Sequence, residues 1–240
     1  MSTIKNKLKE KILRPALQKI GCGFLSSVGL EHVDMQLVSI LKWKKNGFFI
    51  EAGANDGIRQ SNTYYFEKVL RWNGLLVEPI PSQAEKCRKN RSNSQVVNAA
   101  LVRHDYPSET VRIEMADLMS VVNDGNIEPA LVESHVARGR EVQHLEQQDS
   151  INIKATTLTK LLNDLKVSHV DFFSLDVEGY ETEVLRGIDF STITFDYIFV
   201  ETRIENEEEI DSILTQANMK MTHQWLNPSY SNRLYARVEN

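Results

Sequence analysis

Five short apolar runs set the frame of this chain. They are Phe48 to Glu51, the "GLLVEP" run that ends at Glu78, "SQVVNAAL", "HVDFFSLDVEG" and "FDYIFVET", and helical patterns lie between them. Apolar strands that alternate with helices make a mostly parallel sheet covered on both faces. In such a sheet a ligand sits beyond the carboxyl ends of the strands, where the strand order reverses. The residues at those ends test the rule. They are Glu51, Gly53, Asn55, Asp56 and Gly57 after the first run, then Glu78, then Asn98, then Asp176 with Glu178, then Glu201. Each end carries a polar group at the same place in the pattern, so one coherent site is expected there.

Around this frame, Asn62 to Trp72 reads as a helix with Tyr65, Val69 and Trp72 on one face. Ser82 to Arg91 reads as a second helix, opening just after Pro81. Two short strands, Lys220 to Gln224 and Leu234 to Val238, close the chain. The alternation fails between Val111 and Asn152, a polar stretch too long for an ordinary connection, and it reads as an inserted lid where substrate contacts are expected. The expected division is an N-terminal helical segment, 1–45, and one α/β domain, 46–240, carrying the lid at about 111–152. In the N-terminal segment Ile4, Leu8 and Ile12 recur at helical spacing. That helix packs on the domain, or contacts a membrane surface or a partner, a second copy of the chain included.

Charge and cysteine usage narrow the classes. The net charge of −5 gives no basic patch for phosphates, so no nucleic-acid partner is expected. No apolar run reaches the roughly 20 residues that a membrane-spanning helix needs. Cys22 and Cys87 have no metal spacing and read as reduced thiols, which points to the cytoplasm.

The strand ends point to a nucleotide-like cofactor. Gly53 and Gly57 let the backbone turn tightly and approach a ligand. Ser61, Asn62 and Thr63 stand before a helix, where each caps it or donates to a carboxylate of the ligand. The glycine spacing is not that of a dinucleotide fingerprint, which disfavours nicotinamide. Glu78 suits a ribose diol, because a carboxylate accepts from both hydroxyls, and the amide of Asn98 suits an adenine edge.

The stretches "FFIEAGANDG", "SNTYYFEKVLRWNGLLVEPIPS", "VVNAAL" and "VDFFSLDVEGYETEVLRGIDF" resemble the FkbM family of S-adenosylmethionine-dependent methyltransferases, over about Val33 to Glu201. The resemblance implies a class I, Rossmann-like methyltransferase fold: a seven-stranded sheet, parallel except for one strand, flanked by helices. It implies that the loop Glu51, Gly53, Ala54, Asn55, Asp56 and Gly57 holds the methionine part of the cofactor. Glu78, with Pro79 beside it, would hold the ribose, and Asn98 with Ala99 the adenine. It further implies methylation of hydroxyls, often on sugars or natural products.

Attack of a hydroxyl on a sulfonium methyl calls for alignment and for a general base or a metal. Asp176 and Glu178 lie where the methyl should point: one is the base, or the two hold the cofactor's ammonium and a substrate hydroxyl. His135 and His144 in the lid are further candidate bases, and Arg138 and Arg140 could grip a phosphate or carboxylate. Asp176 and Glu201, ending adjacent strands, would suit Mg2+. The expected acceptor is a small molecule or glycan. The other readings are a lipid, peptide or nitrogen acceptor, or a cofactor-binding scaffold without catalysis.

Overall fold

The computed structural model describes residues 27–114, 121–122 and 150–238. In chain order its strands are β1 (Phe48–Ala52), β2 (Asn73–Val77), β3 (Gln95–Val97), β4 (Ala100–Leu101), β5 (Thr110–Glu114), β6 (Val121–Val122), β7 (Ser150–Thr156), β8 (His169–Leu175), β9 (Thr194–Thr202), β10 (Met219–Leu226) and β11 (Ser231–Arg237). The helices are α1 (Val33–Ile40), α2 (Tyr64–Lys68), α3 (Pro81–Asn90), α4 (Leu158–Leu165), α5 (Glu181–Leu185) and α6 (Glu207–Gln216). A seven-stranded sheet has the order β3-β2-β1-β8-β9-β11-β10. Neighbours in it are parallel except β11, which runs against both β9 and β10. The strand order reverses between β1 and β8, so the ligand crevice belongs at their carboxyl ends.

Successive residues of a strand face opposite sides. Ile50, Leu75, Phe173 and Ile198 enter one apolar cluster, while Phe49, Leu76, Phe172 and Phe199 enter the other. None of them is more than 2 % exposed, so both faces of the sheet are covered. This is why the strand runs are continuously apolar and lack a polar face. Helix α1 packs Val33, Leu37 and Val38 into the second cluster.

The crossover helices start and stop for local reasons. Pro81 opens α3 at a position where a missing N–H costs nothing. Thr157 caps α4 by accepting from the Lys160 amide, and Lys166 ends it in the left-handed region at φ 58°. Glu207, Glu208 and Glu209 fill the first turn of α6, where negative charge suits the helix dipole.

The structure departs from the sequence reading in three places. The helix expected over Asn62 to Trp72 is only Tyr64–Lys68. Beyond it Arg71 takes φ 60°, and Trp72 donates its amide to Phe66 and packs its ring 4.8 Å from Phe66 in the core. The run "SQVVNAAL" is two strands. β3 joins the main sheet, whereas β4 pairs with β7 in a second, four-stranded sheet of order β4-β7-β5-β6. The stretch expected to open a polar lid at Val111 begins inside a strand: β5 and β7 pair antiparallel from Thr110–Lys154 to Glu114–Ser150, with Val111 and Ile113 buried. Strands β5, β6 and β7 and helices α4 and α6 were not anticipated. The amphipathic pattern at Ile4 to Ile12, Cys22, His135, Arg138, Arg140 and His144 lie outside the described residues. Cys87 is buried and free, and burial pushes its thiol up to about 12. No helix among the described residues is long and apolar enough to cross a membrane.

Candidate functional site

A cleft of about 1000 Å³, counted out to its open mouth, lies at the carboxyl ends of β1, β2 and β8. Its polar lining includes Glu51, Asn55, Ser61, Asn62, Glu78, Ser174, Asp176 and Glu178. Ile80, Leu101, Ile113 and Val177 give it apolar walls, and Gly53, Ala54, Pro79 and Ala99 complete the part that was expected. Leu101 and Ile113 reach the cleft from the second sheet, of which the sequence reading covers only β4, as the end of "SQVVNAAL".

The turn after β1 is held from within. Gly53 has φ 82°, and a Cβ there would lie 1.8 Å from the carbonyl oxygen of Asp176, so only glycine lets the ends of β1 and β8 approach. Asn55 also takes a positive φ, 48°, a conformation asparagine tolerates better than most residues. Its side-chain oxygen accepts from the Asp56 amide, and the Asp56 carboxylate accepts from the amides of Ile58 and Arg59 at 2.8 Å each. Asp56 therefore builds the turn and lies outside the cleft lining. Gly57 does too: a Cβ on it would meet Cys87 and Arg91.

Glu51 is buried and committed. It accepts from the Ser61 hydroxyl at 2.8 Å, the Thr63 hydroxyl at 2.6 Å, the Asn62 amide at 2.9 Å and Arg91 at 3.4 Å. Arg91, at the end of α3, is fully buried. Its Nε donates to Glu67 at 2.8 Å, and its two terminal nitrogens reach the Gly57 carbonyl, the Ser61 hydroxyl and both oxygens of Thr63. Its guanidinium also stacks over Phe49 and Tyr64. Sequence reasoning missed this residue. Nothing in "RKNRSNS" separates Arg91 from its exposed basic neighbours. Thr63 belongs to the same buried network and does not line the cleft. Asn62 does line it, with its amide nitrogen on the Ser174 hydroxyl.

Glu78 follows β2. Its carboxylate accepts from the amides of Asn55, at 2.7 Å, and Ile80, at 2.8 Å, which ties two turns of the cleft together. Asn98 sits one layer behind. Its amide nitrogen donates to the carbonyls of Glu78 and Pro79, at 2.9 and 2.7 Å, and it is not part of the lining. The expected adenine reader thus braces the floor, and its neighbour Ala99 faces the cleft.

The acceptor side is acidic. Asp176 faces the cleft, and among the described residues no hydrogen bond engages its carboxyl. Its side chain is exposed to the open cleft; loss of water to the protein packed around the cleft mouth raises its pKa well above the usual range, helped by the charges of Glu178 and Glu181 and opposed by Arg203. Enclosure likewise pushes Glu201 up to about 10, with Asp176, Glu178 and Glu181 adding and Arg203 opposing. Glu178 pairs with Arg203 at 2.9 Å and holds φ 59° beside Gly179. Glu181 is spent on the amides of Val177 and Gly179 and on Asn206. Glu181 and Glu183 lie in the first turn of α5, where negative charge suits the helix dipole. Tyr230, absent from the sequence reading, has its phenol raised by burial and by Glu201 and other acids of this group. Thr202 turns away from the cleft to bond Ser231 on β11.

The geometry gives no support to Mg2+ between Asp176 and Glu201. No third His, Cys, Asp or Glu among the described residues joins them closely enough to share one ion; the set that does comprises His169, Asp171 and Asp196, at the other end of β8 and β9.

Comparison with known proteins accords with this arrangement. Curated proteins give no sequence match. Among solved structures, the METTL16 methyltransferase domain superposes with a TM-score of 0.51 at 11% identity, covering 87% of this chain and 67% of that one. A TehB-like S-adenosylmethionine-dependent methyltransferase from Corynebacterium glutamicum gives 0.46 at 7% identity, covering 96% and 98%. A Pyrococcus horikoshii protein described as a candidate RNA methyltransferase gives 0.49 at 10% identity, covering 87% and 82%. At these identities the likeness speaks to the fold. The family model of the methyltransferase FkbM domain matches residues 51–226, most of the chain and all of the strand-end site. With the sheet order, the crevice at the β1/β8 reversal and that match in agreement, the chain belongs to the FkbM family of S-adenosylmethionine-dependent methyltransferases.

Proposed function

We propose that this enzyme methylates a hydroxyl group on a sugar, a glycan or a glycosylated small molecule, and not on a nucleic acid. The observation that carries the reading is the carboxyl of Asp176, which lines the cleft without a hydrogen-bond partner among the described residues, with Glu201 coupled to it from the end of the neighbouring strand. Carboxyl groups of this kind, ionised or protonated, hydrogen-bond neutral hydroxyls and offer no positive charge to a polyanionic backbone.

The cleft also suits the cofactor. Glu78, at the end of β2, can accept from a ribose diol while keeping its two amide partners, since a carboxylate offers about four lone-pair sites. The apolar walls of Ile80, Leu101 and Ile113 suit a base, and the turn at Gly53 to Asn55 with Asn62 suits the amino-acid end. When bound, the cofactor supplies an electrophilic methyl group on sulfur. The chain's own residues hold the acceptor and take its proton. Asp176, which lines the cleft with no hydrogen-bond partner among the described residues, is the base: in its ionised form its oxygen accepts the hydroxyl proton as the acceptor oxygen becomes a nucleophile. Glu201, protonated at neutral pH, donates to a neighbouring acceptor oxygen.

Calorimetric titration with S-adenosylhomocysteine tests the cofactor half, with Glu78→Ala as the control that should weaken binding. Turnover on a panel of sugars, glycolipids and peptides, with and without EDTA, tests the acceptor half. Asp176→Asn should slow turnover while leaving cofactor affinity nearly unchanged. Methylation of only lipid or peptide acceptors would overturn the sugar assignment, and binding without any turnover would favour a non-catalytic scaffold.

A further inference from the structure

We propose that His169, Asp171 and Asp196 form a binding site for a divalent transition-metal ion such as Zn2+, at the amino-terminal ends of β8 and β9. This end of the sheet is opposite to the methyltransferase cleft. The parallel register sets His169 beside Thr194 and places Asp171 and Asp196 between the pairs Val170–Phe195 and Phe172–Tyr197. The side-chain period of two then puts His169, Asp171, Thr194 and Asp196 on one face. One donor atom from each of the three lies within 4.8 Å of the other two. The His169 Nε2 is 3.5 Å from Asp196 and 3.9 Å from Asp171. Donors about 2.1 Å from a common ion stand roughly 3.4 Å apart in a tetrahedral set, so the histidine–carboxylate distances need to contract by about half an ångström or less, and the carboxylate pair, within 4.8 Å, by at most about 1.4 Å.

A second observation concerns the imidazole. The Thr194 hydroxyl lies within reach of the Ser168 carbonyl, 3.3 Å, to which it donates, and its oxygen is 3.1 Å from His169 Nδ1. In the tautomer that carries its hydrogen on Nδ1, Thr194 accepts from the ring and Nε2 turns its lone pair toward the two carboxylates. Lone pair and carboxylates repel one another unless a cation lies between them, and like charges side by side on neighbouring strands are unfavourable. The same contact is the outer hydrogen bond that fixes the tautomer of a metal-bound histidine.

Lys44 is the cation now in place. Its ammonium contacts Asp171 and stands 3.5 Å from Asp196. Its side chain is half exposed, so it can leave to solvent when an ion enters. The other oxygen of Asp171 accepts from the Phe48 amide at 2.6 Å, which fixes that carboxylate against β1. Lys44, Asp171, Thr194 and Asp196 border a broad open groove, which gives an ion its way in. One imidazole with two carboxylates favours an ion of the manganese-to-zinc series over Mg2+ or Ca2+.

The test is calorimetry of tag-free protein with Zn2+, together with Mn2+ broadening of the His169 ring signals. One ion per chain is expected. His169→Ala and Asp196→Asn, both at solvent-accessible positions, should each lose at least about tenfold in affinity, and Thr194→Val, which removes only the outer contact, about tenfold. Lys44→Met should bind several-fold more tightly than the native protein. Thermal melts without metal show that the variants are folded. Binding that is absent in both native protein and Lys44→Met, or that survives His169→Ala unchanged, would overturn the site.

Discussion

Replacing Arg91 by methionine tests whether the cofactor-side loop is held by one buried cation. The guanidinium is fully buried between the carboxylates of Glu51 and Glu67 and also satisfies the Gly57 carbonyl, Ser61 and Thr63. Methionine fills much of the volume, leaves Glu51 buried without a counter-charge among the described residues and leaves Glu67 with Lys68 alone, a loss of about 3–5 kcal/mol. A domain of this kind holds only about 5–15 kcal/mol in total. With a urea slope near 2–3 kcal/mol/M the midpoint should fall by roughly 1–2 M. The pH dependence separates charge from packing. Burial raises the Glu67 carboxyl, but the Arg91 charge and hydrogen bonds from Lys68, Ser94 and Arg91 outweigh it and leave Glu67 below its ordinary 4.5. A depressed carboxylate contributes stability that is present above the unfolded value and lost as pH falls through the folded one. Native protein should therefore weaken as pH drops below about 4.5, and Arg91→Met should lack this contribution. Adding Glu67→Gln should recover about 1–3 kcal/mol of the loss through their coupling. Urea melts followed by circular dichroism at pH 4 and 7 read all of this. A loss below about 1 kcal/mol, or no recovery in the double variant, would refute the reasoning.

Three further outcomes follow from the site. Gly53→Ala places a Cβ 1.8 Å from the Asp176 carbonyl at φ 82°, so it should cost at least about 1–3 kcal/mol in urea melts and weaken S-adenosylhomocysteine binding in calorimetry. Glu78→Gln keeps the shape but removes the charge behind hydrogen bonds of about 1.5–3 kcal/mol each, so affinity for S-adenosylhomocysteine should drop about 10–100-fold. For Glu201 the sign is the reverse of Glu67: its pKa is raised from 4.5 to about 10, so the native state keeps a proton that the unfolded chain releases. Stability should decline as pH rises through that window, and Glu201→Gln should flatten the decline and raise the melting temperature at pH 8.

Much of the frame was legible because it rests on burial. Strands covered on both faces must be apolar throughout, and that marked β1, β2, β8 and β9 and the polar residues that stop them. What escaped was decided by long-range pairing. β5 and β7 join across residues far apart in the chain, and nothing local to Thr110 or Ser150 announces the partner. The split at Asn98 escaped too, because "VVNAAL" reads as one strand until the Asn98 amide is drawn to the Glu78 and Pro79 carbonyls. Helix α2 was overextended because Trp72 keeps helical spacing with Tyr65 and Val69 yet reaches the core after the chain has unwound.

The strand-end acids divide by what their oxygens already do. Glu51 accepts from two hydroxyls, an amide and a guanidinium, and Glu181 from two amides and an asparagine. A carboxylate so engaged builds a turn and has little left to give a substrate. Asp176 and Glu201 have no such partners among the described residues; desolvation and the neighbouring acids raise their pKa values, with Arg203 opposing, and desolvation raises Glu181 as well. Position at a strand end therefore marks where an acid can act, and the hydrogen bonds it lacks mark which acid is still open to a ligand. On the function proposed above, a hydroxyl entering beside Asp176 would meet a carboxyl coupled to Glu201 and not yet engaged, an arrangement that a saturated pair such as Glu51 and Arg91 cannot offer.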